Sequence, residues 1–389
     1  MFGIIALLIT SSLVTASCSR PAESLKTGAA WENATVVEEV SIGRESGADE
    51  YMFGDVREIE VAPDGSVFVL DFQPLVIRKY DARGNFVRNI GRQGQGPGEY
   101  QWASITALPS GGIAVWDHRS ARLTIFSVDG NYESSFATSA DIGTTNALAI
   151  DIEGNFLIRG LRALSESGAP PPYQLMKYSP EGSFLGIVPL PSEPADGVDF
   201  ILHPEGGLRP FNTEIVYAWS PFGYLVVGRN DQYRIEMQKA TGTVVISRDL
   251  DRIELESEEH EEWIAFRERV RSMLAQRGAP EAKVNEIPRR KPFFRSIYAA
   301  EDGRLWVLRY AVASKRHDIE PVPGSPGRPL LTWREASTYD VFDSDGVFLG
   351  PVVFPNEFRP HVFRGLHAWG VHAEPEAERI VRLRVVPWQ

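Results

Sequence analysis

The chain has 389 residues, 43% hydrophobic and 11% aromatic, which describes a folded protein with a sizeable core and excludes a disordered one. Lys+Arg 40 against Asp+Glu 52 leaves a net charge of −12 with no long basic run, so capture of nucleic acid through its phosphates is excluded as well. The 34 glycines and 27 prolines require many turns, and many turns imply short strands.

At the N-terminus, residues 2–17 (FGIIALLITSSLVTAS) are uncharged, mostly apolar and too short to span a bilayer comfortably. They end in small residues before Cys18, the one cysteine of the chain, and read as an export signal over 1–17. Thr15-Ala16-Ser17-Cys18 resembles a bacterial lipobox, which implies lipid attachment at Cys18, although Thr15 stands where Leu is usual and no Lys or Arg precedes the apolar run. The alternative is an ordinary signal cut after Ala16, which leaves an unpaired thiol. On the lipid reading residues 18–30 are the tether, and the membrane is touched through the anchor only. The place is then the bacterial cell envelope, and the folded domain is 31–389, expected as a monomer.

Six segments then repeat an extended run, a Gly turn and a second apolar run: VAPDGSVFVLD (61–71), ALPSGGIAVWD (107–117), AIDIEGNFLIRG (149–160), AWSPFGYLVVGR (218–229), YAAEDGRLWVLR (298–309) and VFRGLHAWGVH (362–372). A second Gly turn follows five of them, and three of the five glycine-to-glycine intervals are 19 residues. Two hairpins per unit make four antiparallel strands, and radial repetition of such units is an all-β, six-bladed β-propeller. The last unit lacks its outer strand, and TVVEEVSI (35–42) is placed to supply it and close the ring.

The stretch GRQGQGPGEY (91–100) lies between the first two units. A dinucleotide fingerprint opens a helix and a P-loop ends in Gly-Lys-Ser/Thr; this segment does neither, so it reads as an interblade loop with Tyr100 packed between sheets. With its surroundings, VFVLDFQPLVIRKYDARGNFVRNIGRQGQGPGEY is similar to an NHL-type repeat: an aspartate ends the second strand, an Arg-Ile-like step opens the third and a G-x-G-P-G loop leads onward. Asp117 with Arg122-Leu123 repeats the pattern in blade two, and Arg229 with Arg234-Ile235 does so more faintly in blade four. The resemblance covers about residues 50–375 and extends to exported six-bladed lipoproteins of bacteria. It implies the fold, and it implies no single activity, because the same scaffold hosts binding modules, lactonases and lyases.

Residues 253–278 break the repeat with apolar Trp263, Ile264, Phe266, Val270, Met273 and Leu274 at helical spacing, acids first and arginines last. This predicts an amphipathic helix in an insertion of about 253–287, either packed on the rim or covering a ligand or partner. HEEWI (260–264) lacks the second histidine of a zinc motif, and DSDG (343–346) lacks the flanking calcium ligands. No metal, cofactor or catalytic residue is expected. His361, His367 and His372 fall in one blade and read as partly buried or surface side chains.

Superposing the repeats brings Asp71, Asp117, Arg159, Arg229 and Arg309 to the ends of second strands, and Arg57, Asn146 and Arg295 to the starts of inner strands. All would ring one face of the central pore. They either tie blades and loops together or bind an anion, since guanidinium groups grip carboxylates and phosphates with two parallel bonds. The leading expectation is a non-enzymatic propeller that binds an anionic small molecule, a glycan or a protein. The alternative is a metal-dependent hydrolase or lyase of lactonase type, which by resemblance would hold a divalent cation over the pore with acids and amides from several blades.

Overall fold

The computed structural model describes residue 31 and residues 33–138, 148–161, 173–191, 210–276, 286–316, 331–373 and 378–387. Its strands form six four-stranded antiparallel sheets arranged as the blades of a propeller. Blade 1 runs through Val56–Val61, Val67–Phe72, Leu75–Tyr80 and Phe86–Ile90, and blade 2 through Ala103–Ala107, Ile113–Asp117, Arg122–Phe126 and Tyr132–Ala137. Blade 3 uses Leu148–Ile150, Phe156–Leu161, Tyr173–Tyr178 and Phe184–Pro189, and blade 4 uses Ile215–Ser220, Tyr224–Arg229, Arg234–Lys239 and Gly242–Ser247. Blade 5 has Phe294–Ala299, Leu305–Arg309, Ser337–Phe342 and Phe348–Phe354.

Blade 6 is built from both ends of the chain. Phe358–Arg364, His367–Ala373 and Glu378–Val386 are joined by Thr35–Ile42 as the outer strand. It pairs antiparallel from Thr35 opposite Val386 to Ile42 opposite Ile380, as 35–42 was expected to do. Ring closure therefore leaves no open sheet edge between first and last blade.

Several hairpin turns are fixed by an aspartate that bonds its own backbone. The Asp151 carboxylate accepts N–H bonds from Glu153 (3.0 Å) and Asn155 (2.9 Å), and Asp343 accepts from Asp345 (2.9 Å) and Val347 (2.8 Å). The DSDG segment is thus a turn whose aspartate is occupied by its own backbone.

The core is divided by the architecture. Six apolar clusters each fill one interface between neighbouring blades, and a seventh lies under the helix. The interface of blades 5 and 6 is the most aromatic: Trp306 stacks on Phe363 at 4.4 Å, and Trp31 meets Trp306 edge-on at 6.0 Å. Burying each such ring contributes about 2–3 kcal/mol.

The loop 91–100 is structural. Gly91 has φ +59°, and a Cβ there would stand 2.6 Å from the Gly98 carbonyl and 2.9 Å from the Tyr100 ring. Tyr100 is buried between blades 1 and 2, where its hydroxyl accepts from Ile77 N–H and donates to the Ile90 carbonyl, both at 3.0 Å. The loop's carbonyls at Gln95, Gly96 and Glu99 accept from the Arg122 guanidinium (3.1, 3.0 and 2.9 Å). It is organised around a cation, the reverse of a phosphate cradle.

The insertion between blades 4 and 5 holds one helix, Ser257–Gln276. Val270 is buried and Trp263 packs on Phe211, but Ile264 is exposed. The first two turns are held instead by polar contacts: Glu258 to Lys315 (2.7 Å), Glu259 to Lys291 (2.7 Å), His260 Nε2 to the Ile287 carbonyl (3.0 Å) and Glu262 to Thr332. The helix is clamped by its acids more than by its apolar stripe. The part of the expected insertion at 277–285 lies outside the described residues.

Candidate functional site

Inner strands start, and second strands end, on the same face of every blade, so the topology gathers the predicted ring residues on one face. The described parts of the insertions, 248–276 with 286–293 and 310–316 with 331–336, rise from that face too. Asn146 and Cys18 lie outside the described residues.

The two aspartates are buried and serve the main chain. Asp71 accepts from the N–H of Gly54 (3.3 Å), Asp55 (2.9 Å) and Gln73 (3.0 Å) and pairs with buried Arg78 at 2.8 Å. Asp117 accepts from the N–H of Trp102 (3.1 Å) and Arg119 (3.2 Å) and from Ser120 Oγ (2.7 Å).

The arginines have local partners. Arg57 pairs with Asp55 at 2.6 Å and Arg229 with Asp231 at 3.0 Å, while Arg309 approaches Asp340 at 3.4 Å. Arg295 pairs with Glu335 and lies 4.5 Å over the Tyr310 ring; Arg159 lies 5.7 Å over Tyr217. Arg57 and Arg229 remain largely exposed, so their pairs are weak and open to exchange with a ligand.

Three inner strands are bulged. In blade 1 Val56 pairs with Asp71 and Glu58 with Leu70, so Arg57 is left unpaired in the ladder. Arg295 is skipped in the same way in blade 5, and His361 in blade 6. Blades 5, 6 and 1 are consecutive around the ring, whereas among the described residues the inner strands of blades 2 and 4, and 148–150 of blade 3, pair without a shift. A bulge re-aims one side chain out of the sheet alternation, and bulges gather next to functional sites. Beside them, Glu378 accepts from Val56 N–H (2.8 Å) and from Arg359 (2.8 Å), which ties the mouths of blades 6 and 1 together.

The channel wall holds acids that sequence reasoning missed. Glu58 and Glu60 project from the inner strand of blade 1 and accept the N–H groups of Ile105 (2.6 Å) and Ala107 (3.1 Å) on the inner strand of blade 2. Desolvation pushes the Glu58 carboxyl up to about 7 and that of Glu60 up to about 8. Burial pushes the His361 imidazole down to about 4, with Arg359 adding to the effect. Glu58 also bonds Ser104, whose Oγ lies 3.1 Å from His118 Nε2, and desolvation pushes His118 down to about 4 against the pull of Asp117. Ser104 is only 1% exposed, so this chain of groups satisfies buried polar atoms and offers no nucleophile to solvent. The one signal in the sequence was the alternation Glu58-Ile59-Glu60-Val61, whose polar side on an inner strand is the channel.

At the rim over blade 5, Lys291 is fully buried between Glu259 (2.7 Å) and Glu335 (2.9 Å). Desolvation raises Glu259 against the lysine's opposing pull. Lys291 thereby joins the helix to the short hairpin Ala313–Lys315 and Trp333–Glu335. Among the described residues, no three His, Cys, Asp or Glu side chains are grouped to hold a metal, and no helix is long and apolar enough to cross a membrane.

Comparison with known proteins agrees with this architecture. The DUF5128 family model, described as a 6-bladed beta-propeller, matches residues 46–137, the stretch that forms blades 1 and 2. No curated protein matches the chain. A DUF4221-family member from Bacteroides vulgatus superposes with a TM-score of 0.55 at 11% identity, covering 92% of this chain and 99% of that one. A candidate exported protein from Bacteroides fragilis gives 0.51 at 12% identity, covering 92% and 96%. A gluconolactonase from Xanthomonas campestris aligns over 94% and 99% at 12% identity, but with a TM-score of 0.41 it is too distant to carry an argument. The likenesses establish a six-bladed propeller and bring no activity with them.

Proposed function

We propose that the chain is an exported, lipid-anchored propeller of NHL type that binds an anionic ligand or partner at the channel mouth formed by blades 5, 6 and 1, and that it is not an enzyme. One observation carries the reading: the inner-strand bulges that turn Arg295, His361 and Arg57 out of register occur in these three consecutive blades. Two further facts support it. The Arg57 pair is solvent-exposed and exchangeable, and burial keeps Glu60 protonated and His361 neutral near neutral pH, so neither adds a charge beside the guanidiniums. Residues 1–17 serve as the signal and 18–30 as the tether from Cys18. Thr35 lies at the face opposite the mouth, beside Val386 and the Gly365 turn.

The test is titration of acidic oligosaccharides and acidic peptides into purified protein, with metal analysis alongside. Binding is expected to weaken as salt rises and to fall about tenfold in Arg295→Ala or Arg57→Ala, the worth of one lost charge-assisted contact. One equivalent of divalent cation that raises the melting temperature would overturn the reading in favour of a metal-dependent hydrolase. Replacing Cys18 by Ser is expected to release the protein from the membrane fraction; retention there would refute the anchor.

A further inference from the structure

Four side chains form a strip across the ligand face of blades 1 and 2. The Arg57 guanidinium lies 5.5 Å from the centre of the Phe72 ring, Phe72 meets Trp102 edge-on at 5.1 Å and 81°, and the Arg119 guanidinium lies 5.8 Å over Trp102. Trp102 is 40% exposed, and both arginines are exposed. Arg119 makes no ion pair among the described residues, in a chain whose net charge is −12.

The strip is fixed before any ligand arrives. Asp71 holds the backbone at Gln73, next to Phe72, and at Asp55, the ion-pair partner of Arg57; Asp117 holds the backbone of both Trp102 and Arg119. These aspartates occupy the same position in consecutive repeats, six residues after Gly65 and Gly111. Two buried carboxylates thus fix the backbone beneath the exposed Trp102 ring, the half-buried Phe72 ring and Arg119, and a ligand avoids that part of the ordering entropy on binding. Rings held open to water are disfavoured until an apolar surface covers them.

A ligand that fits must be flat and apolar on one side and anionic at its edges, with its charges spaced. Sugar rings meet the first demand through their C–H faces, and uronic acids meet the second. The order guanidinium, ring, ring, guanidinium suits a chain in which acidic sugars alternate with neutral ones. A nucleic acid carries a charge at every step and meets the repulsion of the whole acidic surface. We propose that this strip binds an acidic glycan, with Trp102 under a sugar ring and Arg119 and Arg57 on carboxylates; this rests on the anion-binding reading of the face and specifies the ligand class.

A hyaluronan tetrasaccharide, in which glucuronate alternates with N-acetylglucosamine, is the probe, with chitotetraose as the neutral control and tetraglutamate as the peptide control. The hyaluronan fragment is expected to bind and to quench tryptophan fluorescence, with affinity at least tenfold lower in Trp102→Ala and in Arg119→Ala and largely kept in Trp102→Phe. Chitotetraose is expected to bind at least tenfold more weakly. Binding indifferent to Trp102→Ala but lost in Arg295→Ala would overturn the strip while leaving the channel mouth as the anion site. Tetraglutamate binding without the glycan would overturn the glycan class alone, and silence from all anionic probes would sink both readings.

Discussion

Asp340→Ala is expected to lower the unfolding free energy by about 3 kcal/mol. Asp340 is fully buried in the third strand of blade 5, yet its partners come largely from blade 4 and the linker after it. The Tyr233 hydroxyl donates to it at 2.6 Å, Arg248 pairs with the same oxygen, and Arg309 approaches the other at 3.4 Å. Burial, then the neighbouring carboxylate, raises the Tyr233 phenol well above its usual range, so it stays a donor. Alanine would leave two guanidiniums and a phenol without their acceptor. Both arginines retain some access to water, which is why the figure lies at the low end for a broken buried pair. Urea denaturation at constant m-value reads the effect, and Asp340→Asn, which keeps an acceptor, is expected to lose about half as much. A loss below about 1 kcal/mol in the alanine variant would show that the arginines re-solvate freely and that blades 4 and 5 are joined by apolar packing alone.

The second large effect is a fall in stability across neutral pH. Glu58 and Glu60 keep their protons in the folded protein up to about 7 and about 8, while in the unfolded chain they lose them near the ordinary glutamate value of 4.5. A raised carboxyl contributes stability that is complete below the unfolded value and is lost as pH climbs through the folded one. His118 and His361, both pushed down to about 4, act in the opposite sense: their contribution is complete above 6.5 and lost on acidification. Between about pH 4.5 and 6.5 the two pairs offset each other; above 6.5 the carboxyls dominate. Unfolding free energy is therefore expected to drop by on the order of 1–2 kcal/mol from pH 6.5 to 8. The Glu58→Gln/Glu60→Gln double variant retains the acceptors for Ile105 and Ala107 and is expected to abolish the drop. An unchanged slope in that variant would locate the proton uptake elsewhere.

How much of this was visible in the chain itself depended on repetition. Turn glycines spaced 19 residues apart declared the hairpins, and the short last unit declared the need for residues 35–42, because a three-stranded last blade would expose its third strand as an edge. Tyr100 was readable as a packing residue once its loop was placed between two units. The site was less legible for three physical reasons. A bulge is a mismatch in count between two strands, invisible along one of them, so Arg57 and Arg295 were placed at inner-strand starts without any sign that they leave the ladder, and His361 read as a partly buried or surface side chain. Glu58 and Glu60 alternate with Ile59 and Val61 as any half-exposed strand does; only ring closure turns their polar side into a channel. Trp102 owes its role to Phe72 and Arg119, which approach it from other turns of the chain. The helix was foreseen from its apolar spacing, yet its acids hold it, because their partners Lys291, Lys315 and Thr332 come from segments far along the chain.

The direction of the closing strand has a mechanical consequence. Thr35–Ile42 lies antiparallel to Glu378–Val386, with its start at the face opposite the ligand mouth and Trp31 wedged beside Trp306 just before it. A pull on the chain ahead of Trp31, with the ligand face held, runs along the strand axis and loads its ladder of hydrogen bonds in shear, all at once. The same pull applied at Ile42 would peel the pairs one by one. A tether attached ahead of Trp31 would thus load the seam in the direction that resists tension best, and Trp31 must be drawn from its aromatic socket before the ring can open.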